Sequence, residues 1–166
     1  MDAWAIYVVL TLGAGACLWI AWQDFRDREI SVLAFLTLGL AGLGFQVVLN
    51  QSSCWSDRLT NLGLIGLIIG LTYGYAKLRR KGAFFDHQLG WGDVVMFVCL
   101  GLWFPPLIFM AFFTLSTLIT LFFALAYLQI RSAQKALSIP LAGAMALGFL
   151  CLLPFYVSWT NPYLWL

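Results

Sequence analysis

The segment LIFMAFFTLSTLITLFFALAYLQI, residues 107–130, decides the fold because it contains no charged residue. A helix that crosses the hydrocarbon layer of a bilayer needs about 20 predominantly apolar residues, and this segment is long enough. The whole chain shares its character, since 63% of the residues are hydrophobic and 10% are charged. Soluble domains average about 25% charged residues. The composition therefore predicts an integral membrane protein.

Charged clusters and turn residues divide the 166 residues into six apolar runs, each of which predicts a transmembrane helix. The runs cover residues 3–23, 30–49, 62–78, 93–104, 107–130 and 139–159. The fourth run is short, because about 12 residues at 1.5 Å each reach roughly 18 Å of a roughly 30 Å layer. We expect an all-α integral membrane protein with about six transmembrane helices and a single domain over residues 1–166.

The basic residues indicate how these helices are oriented. Eight of the nine fall in or directly beside the first, third and fifth connections, whereas Arg58 alone falls on the other side. Cytoplasmic loops carry an excess of Lys and Arg, so the pattern predicts that both chain termini lie outside the cytoplasm. The eight residues are Arg26, Arg28, Lys77, Arg79, Arg80, Lys81, Arg131 and Lys135.

Glycines are frequent in the second and third runs. Small residues allow helices to approach closely in lipid, so these glycines are predicted to be helix-packing positions. They include Gly39, Gly42, Gly63, Gly66, Gly70 and Gly74.

Several function classes find no support in the sequence. Cys17, Cys54, Cys99 and Cys151 occur singly and His87 is the one histidine, so no zinc-site spacing is present. The HExxH and GxSxG motifs are absent, which disfavours metallo and serine mechanisms. A net charge of +2 does not suggest nucleic-acid binding. We therefore expect no metal, no cofactor and no nucleic-acid partner.

Two acids lie where predicted helices meet the edge of the apolar layer. Asp24 follows the first run and Asp93 begins the fourth. Desolvation disfavours an ionised carboxylate, so two such acids could share one proton. Aspartyl proteolysis needs this pair of states, because one carboxylate takes a proton from water while the other donates a proton to the scissile carbonyl.

Alternatives to this interpretation stay open. Asp24 could simply end the first helix at the headgroups, and Asp27, one helical turn further on and better hydrated, is the second choice for its role. Gly90 and Gly92 could admit a substrate backbone beside Asp93, or could form a turn into a helix that Asp93 caps. A small transporter or channel subunit could use Asp24 and Asp93 to bind a cation or relay protons.

Three stretches, in this order, resemble the A24-type prepilin peptidases, which belong to the GxGD class of membrane aspartyl proteases. Residues 24–30, DFRDREI, are similar to the first acidic motif of that family, D-x-R-x-x-x-I. Residues 90–93, GWGD, match its GxGD motif. Residues 138–148, SIPLAGAMALG, resemble its I-P-x-x-x-x-x-A-x-G stretch. From the first stretch to the last they extend over residues 24–148 of the 166-residue chain.

The resemblance implies that Asp24 and Asp93 are the catalytic pair, and that Gly90, Gly92 and Pro140 bind substrate or shape the active site. It implies a pilin-like precursor protein, a type IV prepilin or pseudopilin, whose short polar leader is cut on the cytoplasmic side. It also implies a multi-pass protein of the bacterial cytoplasmic membrane. The long bifunctional relatives carry a segment with paired cysteines for N-methylation, and nothing here corresponds to it. We expect cleavage without methyl transfer.

Two further expectations concern detail. Ser31 stands where many relatives carry Pro, and Val95 stands where many carry Lys, so substrate preference is expected to differ. Because a helix N-terminus stabilises negative charge and a C-terminus disfavours it, we expect Asp93 to be the ionised base and Asp24 the protonated acid.

Overall fold

The computed structural model describes residues 3–48, 54–78, 90–130 and 141–160, and these ranges contain six helices and no strand. The predicted all-α architecture is confirmed for this part of the chain. The helices are α1 (Ala3–Arg26), α2 (Val32–Val48), α3 (Cys54–Leu78), α4 (Trp91–Trp103), α5 (Pro106–Ile130) and α6 (Leu141–Thr160).

Two of the described helices have the length of membrane-spanning helices, and the bundle has an apolar surface. Two stretches, Trp4–Arg26 and Pro106–Phe123, are long and apolar enough to cross a membrane. The apolar stretches of α2, α4 and α6 are shorter. Large apolar side chains are exposed on the outside of the bundle, including Leu107 at 82% and Val47 at 78%. Such a surface suits lipid, while the orientation of the helices across a bilayer stays a prediction.

Two predicted boundaries were wrong. The connection predicted over residues 50–61 is helical from Cys54 onward, because α3 begins there. The segment was predicted as a connection because the next apolar run begins at residue 62, but Arg58 and Asn61 are buried and bind another helix. The first helix continues past residue 23 to Arg26, so Asp24 lies within its last turn.

The short helix α4 lies at the centre of the bundle, where it packs against α2, α3, α5 and α6. Its 13 residues correspond to about 20 Å, so it is too short to cross a layer of about 30 Å. The length predicted for the fourth run is therefore confirmed. A helix that ends inside an apolar bundle needs partners for its last carbonyl groups.

Helix α3 supplies two of these partners. The Asn61 side-chain amide donates to the carbonyl oxygens of Gly101 and Phe104, both at 2.8 Å. The Arg58 guanidinium donates to the Leu102 carbonyl. Asn61 is fully buried and Arg58 is 8% exposed. The basic residue that stood apart in the sequence therefore caps the C-terminus of α4.

The other partners come from α2 and α6. The Trp103 carbonyl accepts a hydrogen bond from Gln46 Nε2 at 2.9 Å and another from the Tyr156 hydroxyl at 3.3 Å. Three neighbouring helices thus bond to the same end of α4.

The Trp103 side chain fixes the closest approach of α1, α2 and α4. Its indole N–H donates to the Leu38 carbonyl at 3.0 Å, and its ring stacks on Phe45 with centroids 5.4 Å apart. A Cβ atom would lie 2.7 Å from this ring at Gly13 and 2.8 Å from it at Gly42. Glycine is required at both positions because the ring fills the space of a side chain.

The packing role predicted for the glycines is confirmed in α2, whereas the glycines of α3 have no packing partner among the described residues. Gly42 contacts Trp103, and a Cβ at Gly39 would lie 3.7 Å from Cys99 Sγ. In α3, a Cβ would meet no described atom within 4 Å at any of the four predicted positions. The helix packs through larger side chains such as Ile65, which is 3% exposed. The four positions are Gly63, Gly66, Gly70 and Gly74.

Replacing Gly42 by Ala is expected to lower the free energy of unfolding by about 1–3 kcal/mol, because the added methyl group overlaps a fully buried ring. Thermal unfolding of the detergent-solubilised protein measures the change. Gly44→Ala is the matched control in the same helix, since its Cβ would lie 3.5 Å from Val9. Equal stability of the two variants would contradict the contact with Trp103.

Replacing Asn61 by Ala is expected to lower the free energy of unfolding by about 1–3 kcal/mol, because two buried carbonyls lose their donor. Thr60→Ala serves as the control: Thr60 is exposed and bonds only within its own helix, so a change below about 0.5 kcal/mol is expected. Both are measured by unfolding in detergent. A neutral Asn61→Ala variant would mean that α4 does not need this cap.

Candidate functional site

Asp24 lies in the last turn of α1 and is 8% exposed. The helix closes just beyond it, where the Gln23 carbonyl accepts hydrogen bonds from the amides of Asp27 at 2.8 Å and Arg28 at 3.1 Å. Arg28 ends the helix with a φ of 58°, in the left-handed region that non-glycine residues rarely adopt. The chain then turns into α2. The Asp24 carboxylate faces the first turn of α6 at this end of the bundle.

Asp93 is the third residue of α4, and Gly90 is the N-cap with extended backbone angles. The Asp93 amide donates to the Gly90 carbonyl at 3.1 Å. The Asp93 carboxylate lies beside the cap residue, since a Cβ on Gly90 would be 3.4 Å from Asp93 Oδ2. The helix dipole favours an acid in the first turn, so Asp93 stabilises the start of α4 without being the cap residue itself.

The two acids come together at the first turn of α6. Asp24 Oδ2 accepts a hydrogen bond from the Gly143 amide at 2.6 Å, and Asp93 Oδ1 accepts one from the Ala142 amide at 3.0 Å. Amides in the first turn of a helix have no partner within the helix, and the helix dipole favours negative charge there. Because the two donors are consecutive residues, the carboxyl groups converge and interact electrostatically.

Sequence reasoning did not single out Ala142 and Gly143 within the segment 138–148. Both act through backbone amides, and an amide is present in any residue type other than proline. The only sequence signal was the position of these residues at the start of the last apolar run. Pro140, which the sequence analysis assigned to the site, lies outside the described residues.

Gly90 and Gly92 both lie against protein atoms. A Cβ on Gly90 would be 3.4 Å from Asp93 Oδ2, and a Cβ on Gly92 would be 3.5 Å from Ile30 and 3.9 Å from Phe35. Neither glycine has a positive φ, and these distances are ordinary van der Waals contacts, so neither backbone conformation nor a steric clash requires glycine at these positions. Their contact with a substrate stays a prediction.

Asp27, the second choice for the role of Asp24, has a different environment. Its side chain is 60% exposed and lies 3.6 Å from the Arg26 guanidinium. It therefore lies on the exposed side of the end of α1, whereas Asp24 is buried.

Ser31 and Val95 lie near the two acids in sequence but differ in their surroundings. The Ser31 amide donates to Gln23 Oε1 at 2.9 Å just before α2 begins. Proline has no amide hydrogen and could not form this bond. Val95 is 38% exposed on α4.

Fold and site together define an all-helical protein of membrane character with two acids from distant helices meeting at one end of the bundle. In the ranges that the structure describes, no three potential metal-ligating side chains cluster. The model of the type IV leader peptidase family matches residues 11–125. The chain belongs to that family and is a peptidase by membership. No match was found among curated proteins or among solved structures.

The left-handed residue that ends α1 gives a stability test. Arg28→Gly is expected to unfold with a free energy about 1 kcal/mol higher than Arg28→Ala, because only glycine adopts this backbone conformation without steric cost. Both variants remove the guanidinium, so their difference isolates the backbone. Thermal unfolding in detergent measures it. An alanine variant as stable as the glycine variant would show that α1 does not end in this way.

Proposed function

We propose that this protein is an aspartic endopeptidase that removes the short leader from pilin-like precursors at the cytoplasmic face of a bacterial membrane. Asp24 and Asp93 are the proposed catalytic pair. Membership of the type IV leader peptidase family supports the protease activity and the kind of substrate. The aspartic mechanism is supported by the convergence of the two acids.

The observation that carries the proposal is the pair of hydrogen bonds to consecutive amides of α6. Asp24 and Asp93 are 69 positions apart in sequence. Nevertheless, the Gly143 amide donates to Asp24 and the neighbouring Ala142 amide donates to Asp93. If the two acids served only as helix-end charges, each could be satisfied by water or by its own helix. Their meeting at one turn leaves two carboxyl groups close to each other, as cleavage through an activated water requires.

Chemically, one carboxylate takes a proton from water as the oxygen attacks the scissile carbonyl, and the other acid donates a proton to the carbonyl oxygen. Asp93 is the proposed base, because it lies at the N-terminal ends of both α4 and α6. Asp24 contacts the N-terminus of α6 but belongs to the C-terminal turn of α1, which favours the protonated state. The two acids titrate as a pair.

Charge supports the proposed side of the membrane. Arg26, Arg28 and Lys77 lie at the C-terminal ends of α1 and α3, and the segments after α3 and α5 carry five more basic residues. Asp24 lies at the same end of α1 as Arg26. By the positive-inside rule this end faces the cytoplasm, and both termini lie on the other side.

The substrate is proposed to be cut before its apolar helix, where a polar leader reaches the cytoplasmic edge of the bilayer. Cleavage is proposed to occur without N-methylation, because the chain has no segment with paired cysteines. The departures at Ser31 and Val95 are proposed to affect which leaders are accepted.

Replacing either Asp24 or Asp93 by Asn is expected to lower the cleavage rate at least about 100-fold, because Asn cannot exchange the proton that acid–base catalysis requires. The measurement is co-expression with a leader-bearing pilin-like precursor, followed by the mass of the mature product. Asn has nearly the shape of Asp, so both variants should fold.

Asp27→Asn is the matched control and is expected to retain cleavage, because Asp27 is exposed and paired with Arg26. Activity in Asp24→Asn together with loss in Asp27→Asn would transfer the first role to Asp27. Absence of cleavage by the wild type, combined with charge movement in vesicles that depends on both acids, would favour a transporter instead.

A further inference from the structure

The contact between Gly143 and Asp24 is unusually close. A Cβ atom on Gly143 would lie 2.9 Å from Asp24 Oδ2, 3.2 Å from Asp24 Cβ and 3.2 Å from Phe25 Cε2. The first distance is shorter than real Cβ contacts, and the other two are tighter than most. The side of α6 that faces α1 therefore has no room for a side chain at this residue.

Backbone conformation does not explain this glycine. Gly143 is helical and has no positive φ, so any L-residue could adopt its dihedral angles. Glycine is also a poorer helix former than alanine. Since neither conformation nor helix propensity favours glycine, the remaining reason is the space that the Asp24 carboxylate occupies.

We propose that Gly143 is a positioning residue for the catalytic pair. Its lack of a side chain allows the first turn of α6 to approach Asp24 until the Gly143 amide reaches the carboxylate, while the Ala142 amide holds Asp93. The separation of the two carboxyl groups is thus set by two consecutive backbone amides. This inference rests on the proposed function, because it assigns the contact a role in that reaction.

A methyl group at residue 143 would displace the Asp24 carboxylate or move α6 away from α1. Either movement breaks the hydrogen bond from the Gly143 amide and changes the spacing of the pair. A misplacement of about 1 Å can lower a rate by about 100-fold. Substrate binding elsewhere on the protein would be unaffected.

The test is Gly143→Ala assayed in purified form with a leader-bearing precursor. We expect kcat to fall at least about tenfold with KM within about threefold of the wild-type value. Gly15→Ala is the matched control, because Gly15 lies on the helix that carries Asp24 and its Cβ would meet no described atom within 4 Å. It is expected to retain wild-type kcat. A Gly143→Ala variant with wild-type kcat would overturn the proposal.

A double-mutant cycle keeps the proposal testable if Gly143→Ala folds poorly. Thermal unfolding is measured for Gly143→Ala, for Asp24→Ala and for the double variant. We expect Gly143→Ala to be less destabilising in the Asp24→Ala background, because the close oxygen is then absent. Equal effects in both backgrounds would overturn the proposal.

The two proposals fail in different ways. If the wild-type protein cleaves no precursor, the proposed function fails, and the cycle still measures the contact. If the wild type cleaves and both Asp→Asn variants are inactive while Gly143→Ala is fully active, the function stands and the positioning role is wrong.

Discussion

The constraint on which this structure depends is that a helix ending inside an apolar bundle must have its terminal backbone groups bonded by protein. Helix α4 is too short to leave the bundle at both ends, so its last carbonyls are bonded by side chains from α2, α3 and α6. This requirement explains why Gln46, Arg58 and Asn61 are buried in a chain that is otherwise so apolar. It also makes α4 the element around which the other helices are arranged.

The same requirement applies at the candidate site, where the helix end is the N-terminus of α6 and the groups that need partners are amides. The first amides of α6 lack partners within their own helix, and the carboxyl groups of Asp24 and Asp93 supply them. The same two hydrogen bonds therefore provide partners both for the buried acids and for the first amides of α6. The fold that brings the acids together is stabilised by the groups that are proposed to perform the chemistry.

Much of this arrangement was predictable from sequence, and the exceptions have physical reasons. Long apolar runs predicted the helices, and the scarcity of acids pointed to Asp24 and Asp93. The first turns of α3 were missed because Arg58 and Asn61 are polar, and local sequence does not reveal that their partners lie on α4. The open glycines of α3 were assigned to packing because small size permits contact but does not specify a neighbour. The donors to the acids were missed because they are backbone amides.

The bonds at the far end of α4 also bear on the depth of Asp93. A helix is stiff along its axis, and sliding α4 would break the hydrogen bonds to Asn61 and Gln46 at one end and to Ala142 at the other. The carboxyl group of Asp93 is thus held at a fixed level relative to the rest of the bundle by hydrogen bonds about 15 Å away along α4. If Asp93 acts as proposed, the bond to be cut must come to that level, since sliding α4 to meet it would break these hydrogen bonds.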